Sequence, residues 1–184
     1  MTRVFAEEPG LDGDAGQRIA LGTYGGGLFR RCPATPVSRS LVYIPYWIGP
    51  GALRLKSAFS ETVQKRLFAC DGWKGVAGAV EGTPPEMKEL ERDGSERLVP
   101  CRVPEDEAKV RIREQAGRLA RGKVIAAGVG DVDLRVIHKP FWAVLSRLRD
   151  GRMSWRLVAA DSGIVTYRFD LGIEEMLRAA GLDA

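Results

Sequence analysis

The chain has 184 residues, of which 45% are hydrophobic and 28% charged, an ordinary globular composition that excludes a fibrous or largely disordered protein. The formal net charge of +4 and the pI near 9.1 are mildly basic, which favours an anionic partner without indicating a fold. The longest uncharged run, residues 40–53, is interrupted by Pro45 and by Gly49-Pro50-Gly51, so we expect no membrane span.

The cysteines indicate a reducing compartment. They are odd in number and widely spaced, which excludes a complete disulfide framework and favours free buried thiols: Cys32, Cys70 and Cys101. Residues 1–10 include Glu7, Glu8 and Pro9, where a signal peptide would need an apolar core. We therefore expect a soluble, cytoplasmic protein.

The first half of the chain is predicted to be β-rich. Residues 1–38 hold many glycines and little periodicity, which indicates a glycine-rich N-terminal lead-in. Ser40 to Trp47 predicts a strand, Gly49-Pro50-Gly51 a turn, and Ala52 to Phe59 a second strand. In that second strand the alternation places Leu53 and Leu55 on one side and Arg54 and Lys56 on the other.

Residues 60–72 predict a short helix with Ser60 as its cap and Gly72 at its end, and the glycine-rich stretch Asp71 to Gly82 leaves a return strand open as the alternative. Residues 82–104 combine four prolines with dense mixed charge, which is typical of a linker or exposed loop. These boundaries predict a first half at 39–100 and a second half at 104–184.

A helix is predicted from Pro104 to about Arg121. Its apolar residues recur at helical spacing, its first turn is acidic and its last turn is basic, as the helix dipole favours. The apolar stripe consists of Ala108, Ile112, Ala116 and Leu119. A terminal helix is predicted over residues 171–180, burying Ile173, Met176, Leu177 and Ala180.

Between these helices, residues 134–170 alternate as a meander of antiparallel strands. Asp150-Gly151 predicts a two-residue hairpin turn, which would place Leu148 opposite Met153. A three-residue turn at Asp161-Ser162-Gly163 would place Val165 opposite Ala159. The predicted fold class is therefore α+β, an antiparallel meander packed on one face by helices, as two related halves.

That register gathers five arginines on the face of the sheet opposite the helix: Arg147, Arg149, Arg152, Arg156 and Arg168. Guanidinium groups suit carboxylates and phosphates because they donate in a planar fork. Three interpretations stay open: an ordinary exposed or internally paired face, a site for a partner protein with an acidic surface, and a nucleic-acid site. The large aromatics fall on the other face, which argues against stacking of single-stranded bases.

Residues 105–169 resemble a PepSY-like domain. In that family an acidic-starting helix precedes strands of the pattern "dg…w.v.vda.tGev", matched here by Asp150-Gly151, by the run 155–158 and by the run 161–165. The resemblance implies an α+β fold and a role in binding or restraining other proteins, peptidases among them. It also makes the first half a candidate degenerate relative, because Tyr43-Ile44-Pro45-Tyr46-Trp47 parallels His138-Lys139-Pro140-Phe141-Trp142.

No catalytic or metal signature accompanies this architecture, and we expect no cofactor. His138 is the only histidine, and no motif supplies the nucleophile and orienting group that a general base requires. A zinc site from the three cysteines and His138 would lack the closely spaced ligand pairs of structural sites. The sequence therefore favours a non-enzymatic binding or accessory subunit that uses the arginine face, then a nucleic-acid-binding protein, and an enzyme third.

Overall fold

The computed structural model of the protein describes residues 3–24, 34–80, 88–91, 97–118, 124–165 and 172–183. Its strands are β1 (Arg3–Ala6), β2 (Thr35–Ser57), β3 (Glu61–Asp71), β4 (Ala77–Val80), β5 (Lys88–Glu91), β6 (Arg97–Leu98), β7 (Val124–Val129), β8 (Arg135–Arg147) and β9 (Met153–Ala159). Its helices are α1 (Gly13–Gly22), α2 (Glu105–Gly117) and α3 (Ile173–Ala179). Parallel and antiparallel pairs both occur, so the α+β class is confirmed with a mixed sheet.

The chain forms two compact units, and each combines segments that are distant in sequence. Unit 1 comprises Met1–Ile44, Met87–Pro100 and His138–Ala184, and unit 2 comprises Pro45–Glu86 and Cys101–Ile137. This division differs from the sequential halves that the sequence predicts, because β2 and β8 each contribute residues to both units.

In unit 2, β2 and β3 form a long antiparallel hairpin, paired from Tyr46 with Asp71 to Lys56 with Glu61. The short helix predicted over residues 60–72 is wrong, because Glu61–Asp71 is strand β3; β4, which lies in the stretch 71–82 where the sequence leaves a return strand open, pairs antiparallel with β3. Gly49-Pro50-Gly51 lies inside β2, where a turn is predicted. A Cβ at Gly49 would lie 1.9 Å from the carbonyl oxygen of Asp133, so this glycine serves a close backbone approach.

The helix predicted after Pro104 is confirmed as α2, and its buried residues are those of the predicted stripe: Ala108, Ile112 and Ala116. They pack in one cluster with Leu53 and Phe68 of the hairpin. The acidic first turn is also as predicted. Leu119 and Arg121, the remaining predicted members of this helix, lie outside the described residues.

In unit 1, β8 and β9 pair antiparallel, and β1 lies parallel to β8 and antiparallel to β5. β6 pairs in parallel with β2 at residues 42 and 43. β5 and β6 belong to the predicted linker, 82–104, so part of that segment is strand. Three of the four residues of Lys88–Glu91 are charged, which suits a strand at the end of the described sheet order.

The predicted glycine-rich lead-in contains β1 and α1. The side chain of Asp12 caps α1 by accepting a hydrogen bond from the Ala15 backbone N–H at 2.7 Å. Gly16 has no room for a side chain, because a Cβ there would lie 2.6 Å from Cδ1 of Trp142. Gly16, which weakens the helical pattern, therefore allows the helix to approach the sheet closely.

Both faces of the β8–β9 hairpin are buried. On one face Val144 and Val158, each 0% exposed, pack against Ala20 of α1. On the other face Leu145 and Leu157 are buried as well. The prediction that the 105–121 helix covers this sheet is wrong: α1 packs on β9, whereas α2 packs on β3, β4 and β7.

The C-terminal helix is confirmed as α3 over Ile173–Ala179. Its buried residues are those that the sequence predicts: Ile173, Met176, Leu177 and, at its C-terminal end, Ala180. Ile173 lines a shallow hollow together with Met153 and Trp155 of β9. The start of α3 therefore lies beside β9.

The two Pro-aromatic-Trp segments have corresponding hydrogen bonds, although each lies inside a strand rather than at its start. In unit 2, the Pro45 carbonyl accepts a bond from Gly72 N–H at 2.8 Å, and in unit 1 the Pro140 carbonyl accepts one from Ala160 N–H at 2.9 Å. In each unit the accepting proline lies two positions before the tryptophan. Its carbonyl binds the N–H of the first residue after the second strand of the hairpin, β3 or β9.

The tryptophans of these segments also make corresponding contacts. The Trp47 indole donates to the carbonyl of Val103 at 2.8 Å, and the Trp142 indole donates to the carbonyl of Leu11 at 2.9 Å. Each acceptor lies two residues before a helix, α2 in one unit and α1 in the other. In each unit an indole thus fixes the entry of the helix that packs on its hairpin.

The turns after β3 and β9 match as well. Gly75 N–H donates to the Asp71 carbonyl at 2.9 Å, and Gly163 N–H donates to the Ala159 carbonyl at 2.8 Å. Both glycines have left-handed φ angles, +73° and +70°, which favour glycine. The turn that follows the hairpin therefore has the same geometry in both units.

Candidate binding surfaces at the hairpin ends

The turn between β8 and β9 has three residues rather than two. Gly151 N–H donates to the Leu148 carbonyl at 2.9 Å, Leu148 N–H donates to the Arg152 carbonyl at 2.8 Å, and Gly151 has a φ of +84°. This is a turn over Arg149 and Asp150 followed by a glycine bulge. It shifts the register by one residue, so Arg147 and not Leu148 lies opposite Met153.

The shift separates the predicted arginine face. Arg147 shares a face with Met153, whereas Arg156 lies opposite Val144 on the face that packs against α1. Residues directly opposite each other project to the same side of a sheet, and a slip of one residue exchanges the sides. The prediction of one continuous arginine face is therefore wrong, and its fifth member, Arg168, lies outside the described residues.

The turn from β9 to the next segment also differs from the prediction. Ala159 N–H donates to the Ile164 carbonyl at 2.9 Å, and Val165 forms a bridge with Val158 instead of lying opposite Ala159. The loop between Ala159 and Ile164 thus contains four residues, 160–163, one more than the predicted loop of residues 161–163. The last residues of the predicted meander, 166–170, lie outside the described residues.

The Arg156 side chain makes contacts within the fold. Its guanidinium carbon lies 4.5 Å from the centre of the Tyr24 ring. Nη1 donates to the Trp155 carbonyl at 3.0 Å and to Ser154 Oγ at 3.3 Å. The side chain is half-buried, so this arginine attaches the end of α1 to β9 more than it offers charge to a partner.

The remaining described arginines of the predicted site meet at the end of the hairpin. Arg147, Arg149 and Arg152 are exposed, and we call residues 147–152 the basic turn. Arg152 Nε lies 2.6 Å from Oδ2 of Asp150. Hydrogen bonds from the Arg152 backbone and side chain hold the pKa of Asp150 below its ordinary value. One acidic residue therefore accompanies three basic ones in this turn.

A second basic surface lies on the β2–β3 hairpin, at residues 52–66, which we call the basic arm. The cross-strand pairs place Arg54, Lys56 and Lys65 on one face of it, and all three are exposed. The opposite face carries Leu53 into the core. With Arg66 also basic and Glu61 acidic, the arm has four basic residues and one acidic residue.

The neighbouring strand leaves the cations of the arm accessible. On β7, the residues paired with Arg54 and Lys56 are Gly128 and Ala126, which have little or no side chain. Arg54 faces the carboxylate of Glu61, with N and O 3.9 Å apart and both side chains more than half exposed. Such an exposed pair has a small net energy, so the positive charge of the arm is available to a ligand.

The tip of the arm is an ordered turn with an aromatic side chain. Ser57 Oγ accepts bonds from the N–H groups of Phe59 and Ser60, at 3.4 and 3.1 Å. Ser57 N–H donates to the Ser60 carbonyl at 2.8 Å. Phe59 is 99% exposed, so its ring contributes no burial to the fold.

The sequence contains part of the signal for the basic arm. Arg54 and Lys56 alternate with leucines in the sequence, but the helix predicted over residues 60–72 separates them from Lys65. A strand over 60–72 would place Lys65 on the same face as Arg54, because Lys65 lies two residues from Val63, the residue paired with Arg54. The basic arm can therefore be recognised from the sequence only if this strand is predicted.

Burial also shifts the pKa of other titratable groups in the described part of the chain. Burial raises the pKa of Glu7, and the positive charge of Lys139 offsets part of this rise. The Lys139 ammonium also forms an ion pair with Asp161, with N and O 2.8 Å apart. Burial raises the pKa of the Cys70 thiol to about 11, which makes it a poor nucleophile. Within the described part of the chain, no three His, Cys, Asp or Glu side chains come together in a way that could hold a metal ion.

No protein-family model, curated protein or solved structure matches this chain. The resemblance to PepSY-like domains thus stays a prediction. Among the described residues, no helix has the length and apolar character needed to cross a membrane.

Proposed function

We propose that this protein is a non-enzymatic binding or accessory subunit that contacts an anionic macromolecular partner through the basic turn and the basic arm. One observation carries the proposal. Each of the two long hairpins ends in an exposed group of basic residues, three in the basic turn and four in the basic arm. Positive charge in such exposed ends attracts an anionic partner and accelerates its encounter.

The matching hydrogen bonds of the two units support this proposal. We infer that the units descend from one repeated element, because proline, tryptophan and turn contacts correspond in both. The basic turn and the basic arm then occupy corresponding positions, each at the end of the hairpin of its own unit. Two equivalent contact points in one chain would raise avidity if a partner engages both.

The experiment is affinity capture of partners by the tagged protein from its native extract, quantified by mass spectrometry. Arg147→Glu with Arg149→Glu tests the basic turn, and Lys56→Glu with Lys65→Glu tests the basic arm. The matched control reverses the same number of charges at Arg18 and Arg135, which are exposed outside both surfaces.

We expect partners captured by the unmodified protein to be lost from the two hairpin variants and kept by the control. Equal capture by all the proteins would refute the proposal. Equal loss in all the variants would also refute it, because net charge alone would then explain the capture.

A partner protein with an acidic surface is the first candidate from the sequence, and nucleic acid is the second. One structural observation favours the second candidate. Phe141 and Trp155 of the meander are buried, but Phe59 at the end of the basic arm is exposed. An exposed aromatic beside cations is the combination that nucleic-acid surfaces use.

A further inference from the structure

The basic arm presents a ring and cations in an ordered arrangement. The Ser57 and Ser60 bonds fix the backbone at the tip, so Phe59 is displayed on a turn of defined geometry. Arg54 and Lys56 are separated by two positions along β2, a spacing of about 7 Å in an extended strand. Lys65 lies on the same face from β3, since it pairs with Ala52.

This arrangement has no explanation in the stability of the fold. A phenylalanine that is 99% exposed gains nothing from folding, and four basic residues on one hairpin repel each other. Such a group is therefore suited to contact something outside the chain.

We propose that the basic arm binds nucleic acid, with Phe59 stacked on or between bases and with Arg54, Lys56 and Lys65 on backbone phosphates. This inference rests on the proposed function and names the partner class of one of its two surfaces. A two-stranded ribbon is narrow enough to enter the major groove of a duplex. Phenylalanine can also separate base steps or stack on an unpaired base, since every base offers an aromatic face.

An acidic protein surface would satisfy the cations but would leave Phe59 without a role. Aromatic residues strengthen protein interfaces when they fill a pocket of the partner. A protein partner would therefore need a matching pocket in addition to its acidic residues, whereas any nucleic acid supplies phosphates and stacking faces together. Nucleic acid is thus the partner class that uses all the exposed groups of the arm with the fewest requirements.

The test measures the fluorescence anisotropy of labelled probes across a series of salt concentrations. The probes are an oligonucleotide as a single strand, the same sequence as a duplex, and a polyglutamate chain of matched charge. The variants are Phe59→Ala, Phe59→Trp and the neutralised pair Lys56→Gln with Lys65→Gln. Val63→Ala is the control for an exposed side chain on the same arm, and Arg18→Gln with Arg135→Gln is the control for charge.

We expect one of the two oligonucleotides to bind with a steep salt dependence. The double lysine variant should flatten the slope of log affinity against log salt by about 1.4 to 1.8, the change for two lost phosphate contacts. Phe59→Ala should weaken binding about tenfold without changing that slope, and Phe59→Trp should restore it. Val63→Ala and the charge control should bind as the unmodified protein does.

Three results would overturn the inference. Polyglutamate binding that equals oligonucleotide binding and ignores Phe59→Ala would assign the arm to an acidic protein and leave the proposed function standing. Oligonucleotide binding that weakens equally in the charge control would show only general attraction to a basic chain. Failure of every probe to bind would contradict both the inference and the proposed function. Thermal melting of each variant confirms that it is folded.

Discussion

Truncating Arg156 tests the register of the β8–β9 hairpin and the packing of α1. In the structure Arg156 lies over Tyr24 and donates to the Trp155 carbonyl and to Ser154. A cation–π contact at a partly exposed site contributes about 0.5–1 kcal/mol. Each hydrogen bond contributes about 0.5–1.5 kcal/mol. Arg156→Ala should therefore lower the free energy of unfolding by about 2 kcal/mol.

The matched control is Arg149→Ala, since Arg149 is exposed in the turn of the same hairpin. Its truncation should change the unfolding free energy by less than about 0.5 kcal/mol. In a thermal melt followed by circular dichroism, 2 kcal/mol corresponds to a fall in Tm of about 4–8 °C for a chain of this size. Equal effects of the two truncations would refute the reasoning, because both arginines would then lie on one solvated face.

Two further predictions concern backbone packing and pH. Gly49→Ala should cost at least about 3 kcal/mol, because its Cβ would meet the Asp133 carbonyl oxygen, whereas Gly128→Ala, with no atom within 4 Å, should cost almost nothing in a denaturant titration. Burial raises the pKa of Glu7 above 4.5, so the folded chain keeps a proton that the unfolded chain loses as pH rises. Stability conferred by that proton falls as pH increases through the raised pKa, and Glu7→Gln should melt higher than the unmodified protein near pH 7 but not below about pH 4.5. An unchanged difference across that pH range would show that the carboxyl is not protonated in the fold.

Helices with a periodic apolar stripe could be predicted from the sequence. Ala108, Ile112 and Ala116 recur at helical spacing behind an acidic first turn, and the structure buries them together. Helix α1 could not be predicted in this way. Gly13 and Gly16 lower its helix propensity, and the reason for Gly16 is contact with Trp142, a residue more than a hundred positions away.

The register of the hairpin depends on a choice that local sequence does not settle. Asp150-Gly151 suits a two-residue turn, in which both residues are central, and also a three-residue turn, in which Gly151 forms the bulge. The structure adopts the second, and the one-residue difference moves Arg156 from a solvated face to the face beneath α1. The candidate site was therefore predicted by residue type at Arg147, Arg149 and Arg152 but not by arrangement.

The most direct test of the account is the salt concentration at which variants elute from an immobilised heparin column, a general polyanion. The variants are the two charge-reversed hairpin pairs and the control pair at Arg18 and Arg135, which change net charge equally. The account predicts that Arg147→Glu with Arg149→Glu and Lys56→Glu with Lys65→Glu each elute at clearly lower salt than the unmodified protein. The control pair should elute near the unmodified protein. Equal shifts for all three pairs would contradict the claim that the hairpin ends are the anion-binding surfaces.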